Sequence, residues 1–416
     1  MSTRISEITE ISRWKHATRA FRHYNFSVFF AGQTISMLGT WSQIIAISWL
    51  VWRLTESAKW LGISNFVTHI PLLFFGLIGG VLADKYDRKF QMLITQSLLT
   101  LQAVIISILT LTGMISISYI IVLNIMIGVV LALEIPVRNA FTMDLVGKHD
   151  LVNAISIFSG MFHGTRLIGP VIAGFIVSRF GEGWCFGFNA LTFLPLIFTI
   201  LLVKRSGMVK MESTGDNFYK SLKEGLSFIK QNAELRLALF TIAIVAMVQF
   251  SYISLMPIFA DKIFGGGAKQ LGYLMAAGAF GALSGAWFLA QRRKEGRLLT
   301  LAMKHSFFFG IFLLVFALQK SIWPALIMLA CVGYTVTVNF TAIHTLVQHI
   351  PPNRLRGRMV SLIITAFMGL APFGSLGSGL LANKYGAPAT IVLASVIIIL
   401  ISIFAYFKAL KLEKIA

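Results

Sequence analysis

Cysteine is nearly missing from this chain of 416 residues, which has only Cys185 and Cys331. The two lie on separate apolar stretches, so neither a disulfide framework nor a cysteine metal site is expected, and both read as buried structural thiols. Charge is scarce as well, at 12% of residues, and acid is the scarcer sign, with 16 Asp and Glu against 36 Lys and Arg. No glycine loop ends in Lys-Ser or Lys-Thr, which excludes the usual route to ATP hydrolysis. No ligand cluster has metal spacing, and no nucleophile stands in a pattern with a base, so no enzyme, metal or cofactor is expected. The ten-residue alternation of a membrane barrel is absent. The N-terminus carries no short apolar run ending in a small-residue cleavage site. Its first apolar run is full length and reads as a retained helix.

What remains is apolar. Hydrophobic residues make up 56% of the chain, and the mean hydropathy is +0.79. Many runs reach about 20 residues, the length that carries a helix across a bilayer core. Such runs must be helical, because lipid offers no partner to a backbone group left unpaired. Twelve spans are expected, at roughly 25–52, 59–83, 88–112, 117–142, 150–178, 184–203, 234–260, 268–291, 298–318, 321–346, 356–382 and 387–408. The net charge of +20 does not point to nucleic acid. Its Lys and Arg crowd alternate loops, beginning with Arg4, Arg13, Lys15, Arg19 and Arg22, and this bias places both termini in the cytoplasm.

One connection is long. It divides the chain into six spans in 1–203, a polar linker over 204–233 and six spans in 234–416. Within the linker, Phe218, Leu222, Leu226 and Ile229 recur at helical spacing with Lys220, Lys223 and Lys230 between them. That pattern predicts a helix over Asn217–Gln231 lying along the inner membrane surface, as a tether between halves or as a lid or docking element.

The two halves repeat. Gly76, Gly80, Arg88 and Lys89 return as Gly281, Gly285, Arg293 and Lys294 at an offset of 205. Gly164, Gly169, Gly174 and Gly181 return as Gly369, Gly374, Gly379 and Gly386 at the same offset. Gly76 and Gly80 have the small-xxx-small spacing of close helix packing. Duplicated six-helix halves place a substrate site at their shared interface, near the bilayer midplane.

Six plus six spans, a long middle loop and GGVLADKYDRK between the second and third spans resemble the major facilitator superfamily. Gly80, Leu82, Asp84, Arg88 and Lys89 match its loop signature, whereas Lys85 and Asp87 depart from it. NFSVFFAGQTISMLGTW (25–41), EIPVRNAFTMDLV (134–146), NAISIFSGMFHGTRLIGPVIAG (153–174) and EGLSFIKQNAELR (224–236) resemble the branch containing the enterobactin exporter and macrolide efflux proteins. The resemblance implies an all-α membrane protein of two pseudo-symmetric six-helix bundles, acting as a monomer in the bacterial inner membrane. The activity it implies is export of a small amphipathic molecule, siderophore or drug-like, in exchange for protons. A siderophore importer or lysophospholipid flippase is the rival within transport, and a non-transporting receptor or assembly partner is the rival outside it. The resemblance also implies that Gly80, Asp84 and Arg88 form a releasable cytoplasmic latch. The second copy has Leu289 where the first has Asp84, so the latch is expected to be one-sided.

Charge inside a span usually has a task. Arg166 lies near the middle of span five and reads as an anion-binding or gating residue, or as half of a structural ion pair. Its segment also resembles the Gly-Pro motif of drug–proton antiporters through Gly169, Pro170 and Gly174, with Thr165 and Ala173 departing from it. Glu134 is the one carboxylate well inside the first six spans, with Arg138 four residues on and Pro136 distorting the helix between them. It is a candidate for proton coupling, or for a gate-side salt bridge with Arg138. Gln33, Trp41, Gln249, Tyr252 and Asn339 are candidates for the substrate pathway, or for hydrogen bonds that tie helices together. Gln43, Asn65 and His69 belong to the same polar set, while His163, Lys304 and His305 rank lower.

Overall fold

The computed structural model describes residues 18–204, 218–292 and 297–415, which contain helices and no strand. The order is α1 (Tyr24–Thr55), α2 (Ala58–Lys85), α3 (Arg88–Leu111), a 64-residue helix Ile117–Phe180, α6 (Glu182–Leu202), α7 (Phe218–Gln231) and α8 (Ala233–Ile258). A π-helical turn (Phe259–Ile263), α9 (Gly267–Gln291), α10 (Leu298–Ala317), α11 (Ile322–His349), α12 (Asn353–Tyr385) and α13 (Ala387–Ile415) follow.

The 64-residue helix would be about 96 Å long if straight, some three times the hydrocarbon thickness. It is broken at Gly147 (φ 72°, ψ 175°) into α4 (117–146) and α5 (148–180). By length and apolar composition, ten helices among the described residues suffice to cross a membrane, or eleven with Ala58–Gly76 and Ile78–Lys85 taken as one bent span. That count takes Ile117–Phe180 as a single helix.

Local chemistry fixes the helix ends. The Asp87 side chain accepts from Phe90 N at 2.8 Å and caps α3, so the departure from the loop signature has a structural use. Asn232 caps α8 through Leu235 N at 3.0 Å. Hydroxyls inside the spans donate back one turn, as Thr34 does to Phe30 O and Thr241 to Leu237 O, so they stay satisfied away from water.

The glycine repeat becomes a repeat of roles. Gly169 packs on Leu38 and Trp41 of α1, and Gly374 on Met247 of α8. A serine seals each contact, Ser42 Oγ donating to Gly169 O at 3.0 Å and Ser251 Oγ to Gly374 O at 2.9 Å. Gly174 lies against Ala268 and Lys269, and Gly379 against Ala58 and Gly62. Gly181 (φ 89°) and Gly386 (φ 84°) end α5 and α12 in backbone that a side chain would strain.

The other glycine set behaves differently. Gly281 and Gly285 pack tightly on the α11 backbone at Ala330 and Tyr334, as the spacing predicts. Gly80 faces open space, Gly76 meets only Leu72 of its own helix, and the residue that packs α2 on α4 is Gly79, against Ala132 O. The packing expected of Gly76 and Gly80 is therefore absent here, because those two glycines lie on a face of α2 that meets no other helix while Gly79 faces α4. Arg293 and Lys294 lie outside the described residues, as do Arg4, Arg13, Lys15 and Asn217.

The amphipathic linker helix forms as Phe218–Gln231. Instead of lying free on the membrane surface, it docks on α12. Ile229 joins a buried cluster with Leu235, Met359 and Ile363, and Gly225 sits beside Met359 and Leu362. Glu224 accepts from Arg358 and, at 3.4 Å, from Arg354. Ile229 is thus buried against protein, whereas Leu226 stays exposed.

Candidate functional site

Two helix pairs join the halves, α2 with α12 and α5 with α9. Each pair closes at one end and diverges at the other. At the closed end, a Cβ on Gly62 would lie 2.6 Å from Ser375 O, and one on Gly272 would lie 2.5 Å from Pro170 O. Polar contacts add to this seam: Trp52 Nε1 donates to Asp261 Oδ2 at 2.9 Å, Lys262 Nζ to Glu56 Oε2 at 2.8 Å, and Ser57 Oγ to Asn383 Oδ1 at 3.0 Å. The Trp52 and Lys262 bonds join residues on opposite sides of the linker, and the π-helical turn presents both Asp261 and Lys262 to α1. The ring pair Phe66–Phe373 (5.6 Å) and the contact of Leu73 with Gly369 carry the α2–α12 junction inward. Beyond them, Gly80, Gly160, Gly164 and Gly357 meet nothing within 4 Å, and Val81 and Val152 are exposed. The interior is shut at one end and open at the other.

A small cavity of about 30 Å³ lies between α5 and the second half. Its walls include Arg166 from α5, Gln249 and Tyr252 from α8, Leu274 from α9 and Thr337 from α11. The fold thus brings three of the expected pathway residues together. Trp41 stands next to them, its ring centroid 5.6 Å from the Arg166 guanidinium carbon and its other side edge-on to Phe162 at 5.3 Å. Arg166 has no hydrogen bond or ion pair among the described residues. Among those residues, Trp41 Nε1, His163 Nδ1 and Gln249 Oε1 are buried polar atoms without a partner.

Other expected pathway residues lie elsewhere. Asn339 is fully buried and donates to Ala302 O at 2.9 Å and Ser306 Oγ at 2.7 Å, tying α11 to α10 in place of lining the cavity. Gln33 is buried away from the cavity, with Oε1 unpartnered among the described residues. Gln43 joins a chain with Gln102 (2.9 Å) and Asn189 (2.8 Å), fastening α1 to α3 and α6. His69 and His305 each bond a backbone oxygen one turn back.

At the open end, Arg88 is buried and bonds Asp144 Oδ1 at 2.7 Å and Ala83 O at 3.0 Å. Asp84, the expected acid, is 64% exposed and stands 3.8 Å from Arg88. The principal acid of this cluster in the structure is Asp144, because it sits at the base of α4, facing the buried guanidinium. Lys89 Nζ donates to Leu201 O (2.9 Å) and Val203 O (2.7 Å), a cation at the C-terminus of α6 where the helix dipole favours it.

Further along α4, Glu134 is buried. It accepts from Arg138 at 3.2 Å and from Gln96 Nε2 at 3.4 Å, and Oε2 has no partner among the described residues. The i,i+4 pair closes despite Pro136, so the distortion expected there does not separate the charges. Asp144, Gln96, Trp52 and Asp261 are the residues that sequence reasoning missed. Asp144 stood inside the segment 134–146, and a carboxylate at a span end facing a basic loop was the available signal.

Helices in pairs around a cavity shut at one end define a membrane transporter fold of the major facilitator kind. The computed fold is similar to the crystal structure of a bacterial homologue of the human lysosomal transporter Spinster in an inward-facing, occupied conformation. The TM-score is 0.73 at 14% identity, covering 94% of this chain and 97% of that one. The model of the family described as "Transmembrane secretion effector" matches residues 16–415, and the chain belongs to that family, within the major facilitator superfamily. The chain is 28% identical over 396 residues to the staphyloferrin A transporter of Staphylococcus aureus (strain NCTC 8325 / PS 47), covering 92% of this chain and 96% of the relative. It is 26% identical over 365 residues to the enterobactin exporter of Shigella flexneri, covering 86% of each.

Proposed function

We propose that this chain exports a small amphipathic molecule, siderophore-like or drug-like, across the bacterial inner membrane by alternating access coupled to protons. The observation that carries this reading is the one-ended closure: a central cavity sealed by two glycine-packed helix pairs and open where the same helices diverge. Basic residues gather at the open end, including Lys85, Arg88, Lys89, Lys148, Arg354 and Arg358, and positive-inside bias then makes that end, with both termini, cytoplasmic. A cavity facing the cytoplasm is loaded from within, as export requires. The two relatives, one named for a siderophore it transports and one for a siderophore it exports, support that substrate class. The test compares secreted and intracellular metabolites of a deletion strain with those of its parent, under iron limitation and under drug challenge. Unchanged profiles in both would sink the exporter reading.

Glu134 is the candidate for coupling. It is a buried carboxylate with one oxygen on Arg138 and the other free of partners among the described residues, so it can hold a proton in one state and a salt bridge in another. Glu134→Gln is expected to abolish transport driven by a proton gradient in proteoliposomes while sparing counterflow of substrate. Gradient-driven transport at the wild-type rate would end that assignment. Asp84 is the candidate for the releasable part of the latch, since it is free to meet the other half once the open end closes. Neutralising it should slow transport more than substitution of Leu289, and equal effects would rule out a one-sided latch.

A further inference from the structure

Charges buried in these helices come with partners. Arg88 has Asp144, and Arg138 has Glu134. Arg166 breaks the pattern. Its guanidinium points into the cavity, Trp41 covers one side of it, and among the described residues nothing accepts its five N–H donors. An uncompensated cation inside a membrane protein is expensive and is kept where a ligand or water path uses it. The structural ion pair that was the alternative for this residue finds no acid among the described residues.

We propose that the Arg166 cavity is an oxyanion subsite, and that the cargo is an amphiphile carrying a carboxylate or phosphate. The word cargo rests on the transport reading above, whereas the subsite does not. Three features support it. No Asp or Glu lines the cavity, so a cationic ligand would find repulsion and no counter-charge. Gln249 and Tyr252 reach the same space as Arg166, and the buried Trp41 and His163 ring nitrogens lie beside it without partners among the described residues. The rest of the wall is apolar, including Ile253, Met256 and Leu274, which suits a ligand whose anionic head is joined to a hydrophobic body. The cation–π contact with Trp41 covers one side of the guanidinium and leaves N–H donors for a two-oxygen acceptor. The head would be gripped from both halves at once, by α5 on one side and α8 on the other.

The test measures binding of citrate, glycerol 3-phosphate and the cation tetraphenylphosphonium to the purified full chain in nanodiscs. Saturable binding of at least one anion is expected. Loss of a charged hydrogen bond should weaken it about tenfold or more in Arg166→Gln. Arg166→Lys should fall between, because it keeps the charge and loses the fork, and this variant decides the matter should Arg166→Gln not fold. Citrate alone would mark a carboxylate head, glycerol phosphate alone a phosphate head, and both the shared chemistry. The proposal is overturned if neither anion binds the wild type, if Arg166→Gln or Arg166→Lys binds anions as well as wild type, or if tetraphenylphosphonium binds more tightly than either anion. Anion binding that depends on Arg166, together with an unchanged metabolite profile in the deletion strain, would remove the export reading and leave the subsite standing.

Discussion

Asp144→Asn is expected to destabilise the protein by about 3–5 kcal/mol, the range for removing one partner of a buried ion pair. Arg88 and Asp144 are only 4% and 8% exposed, so a neutral residue at 144 leaves a guanidinium in the packed interior with its main acceptor weakened. Arg88 also holds Ala83 O, and through it the turn between α2 and α3, so the loss spreads to the helix junction. Asp84→Asn is the internal control. That carboxylate is 64% exposed and 3.8 Å away, and removing it should cost about 0–1 kcal/mol, as for a surface pair. Thermal unfolding in detergent, followed by tryptophan fluorescence, separates the two. Similar losses for both variants would mean that the buried pair is not what holds this junction.

Gly379→Val is expected to hold the shut end open. A Cβ at this position would lie 2.7 Å from Ala58 O and 2.8 Å from Gly62 Cα, and neither backbone atom can swing aside as a side-chain tip can. On the alternating-access reading proposed above, the overlap acts on one conformation only, since it vanishes when α2 and α12 part. Relief therefore comes from a change of population and not from unfolding. A bias of at least tenfold toward the parted state follows if the overlap costs about 1.4 kcal/mol, which lies within the usual range for overpacking. Spin labels at Lys59 and Lys384, both exposed on this end, should report a longer distance than in the wild type, and steady transport should fall. An unchanged distance distribution in a folded, active Gly379→Val would show that the glycine contact is incidental to closure.

The fold was legible in the sequence for a physical reason. Glycine leaves its mark wherever backbones touch or φ turns positive, and no other residue substitutes cheaply, so Gly169, Gly174 and Gly181 and their copies could be found by spacing alone. Their closing hydroxyls, Ser42 and Ser251, were not found, because a serine that bridges two helices looks like any serine that bonds its own. The candidate site was legible only in part. Arg166, Gln249 and Tyr252 stood out as polar residues in apolar spans, and they share a cavity. Asn339 stood out by the same criterion yet serves a carbonyl on α10, since polarity in a span does not say which way a residue faces. Asp144 and Asp261 went unnoticed because each finds its partner across 56 or 209 positions of chain, and no periodicity records such a pairing. Gly76 and Gly80 carried the right spacing, but they face away from α4, and the residue between them, Gly79, makes the close contact.

The seam at the shut end has a consequence for the response to salt and pH. Its one cross-half ion pair among the described residues, Glu56–Lys262, is 68% and 53% exposed and so contributes little that salt could remove, being screened over about 8 Å at physiological ionic strength. Lys262, by hydrogen bond first and by charge second, holds the Glu56 carboxyl below its ordinary 4.5. What that pair adds is thus fully present above about pH 4.5 and fades only as pH falls through the lowered value. The remaining grip is close backbone packing at Gly62, Gly272 and Gly379, the neutral Ser57–Asn383 hydrogen bond and the Trp52 hydrogen bond to Asp261, of which only the last involves a charge. High salt or mild acid should therefore leave this door as firmly shut as dilute, neutral buffer does.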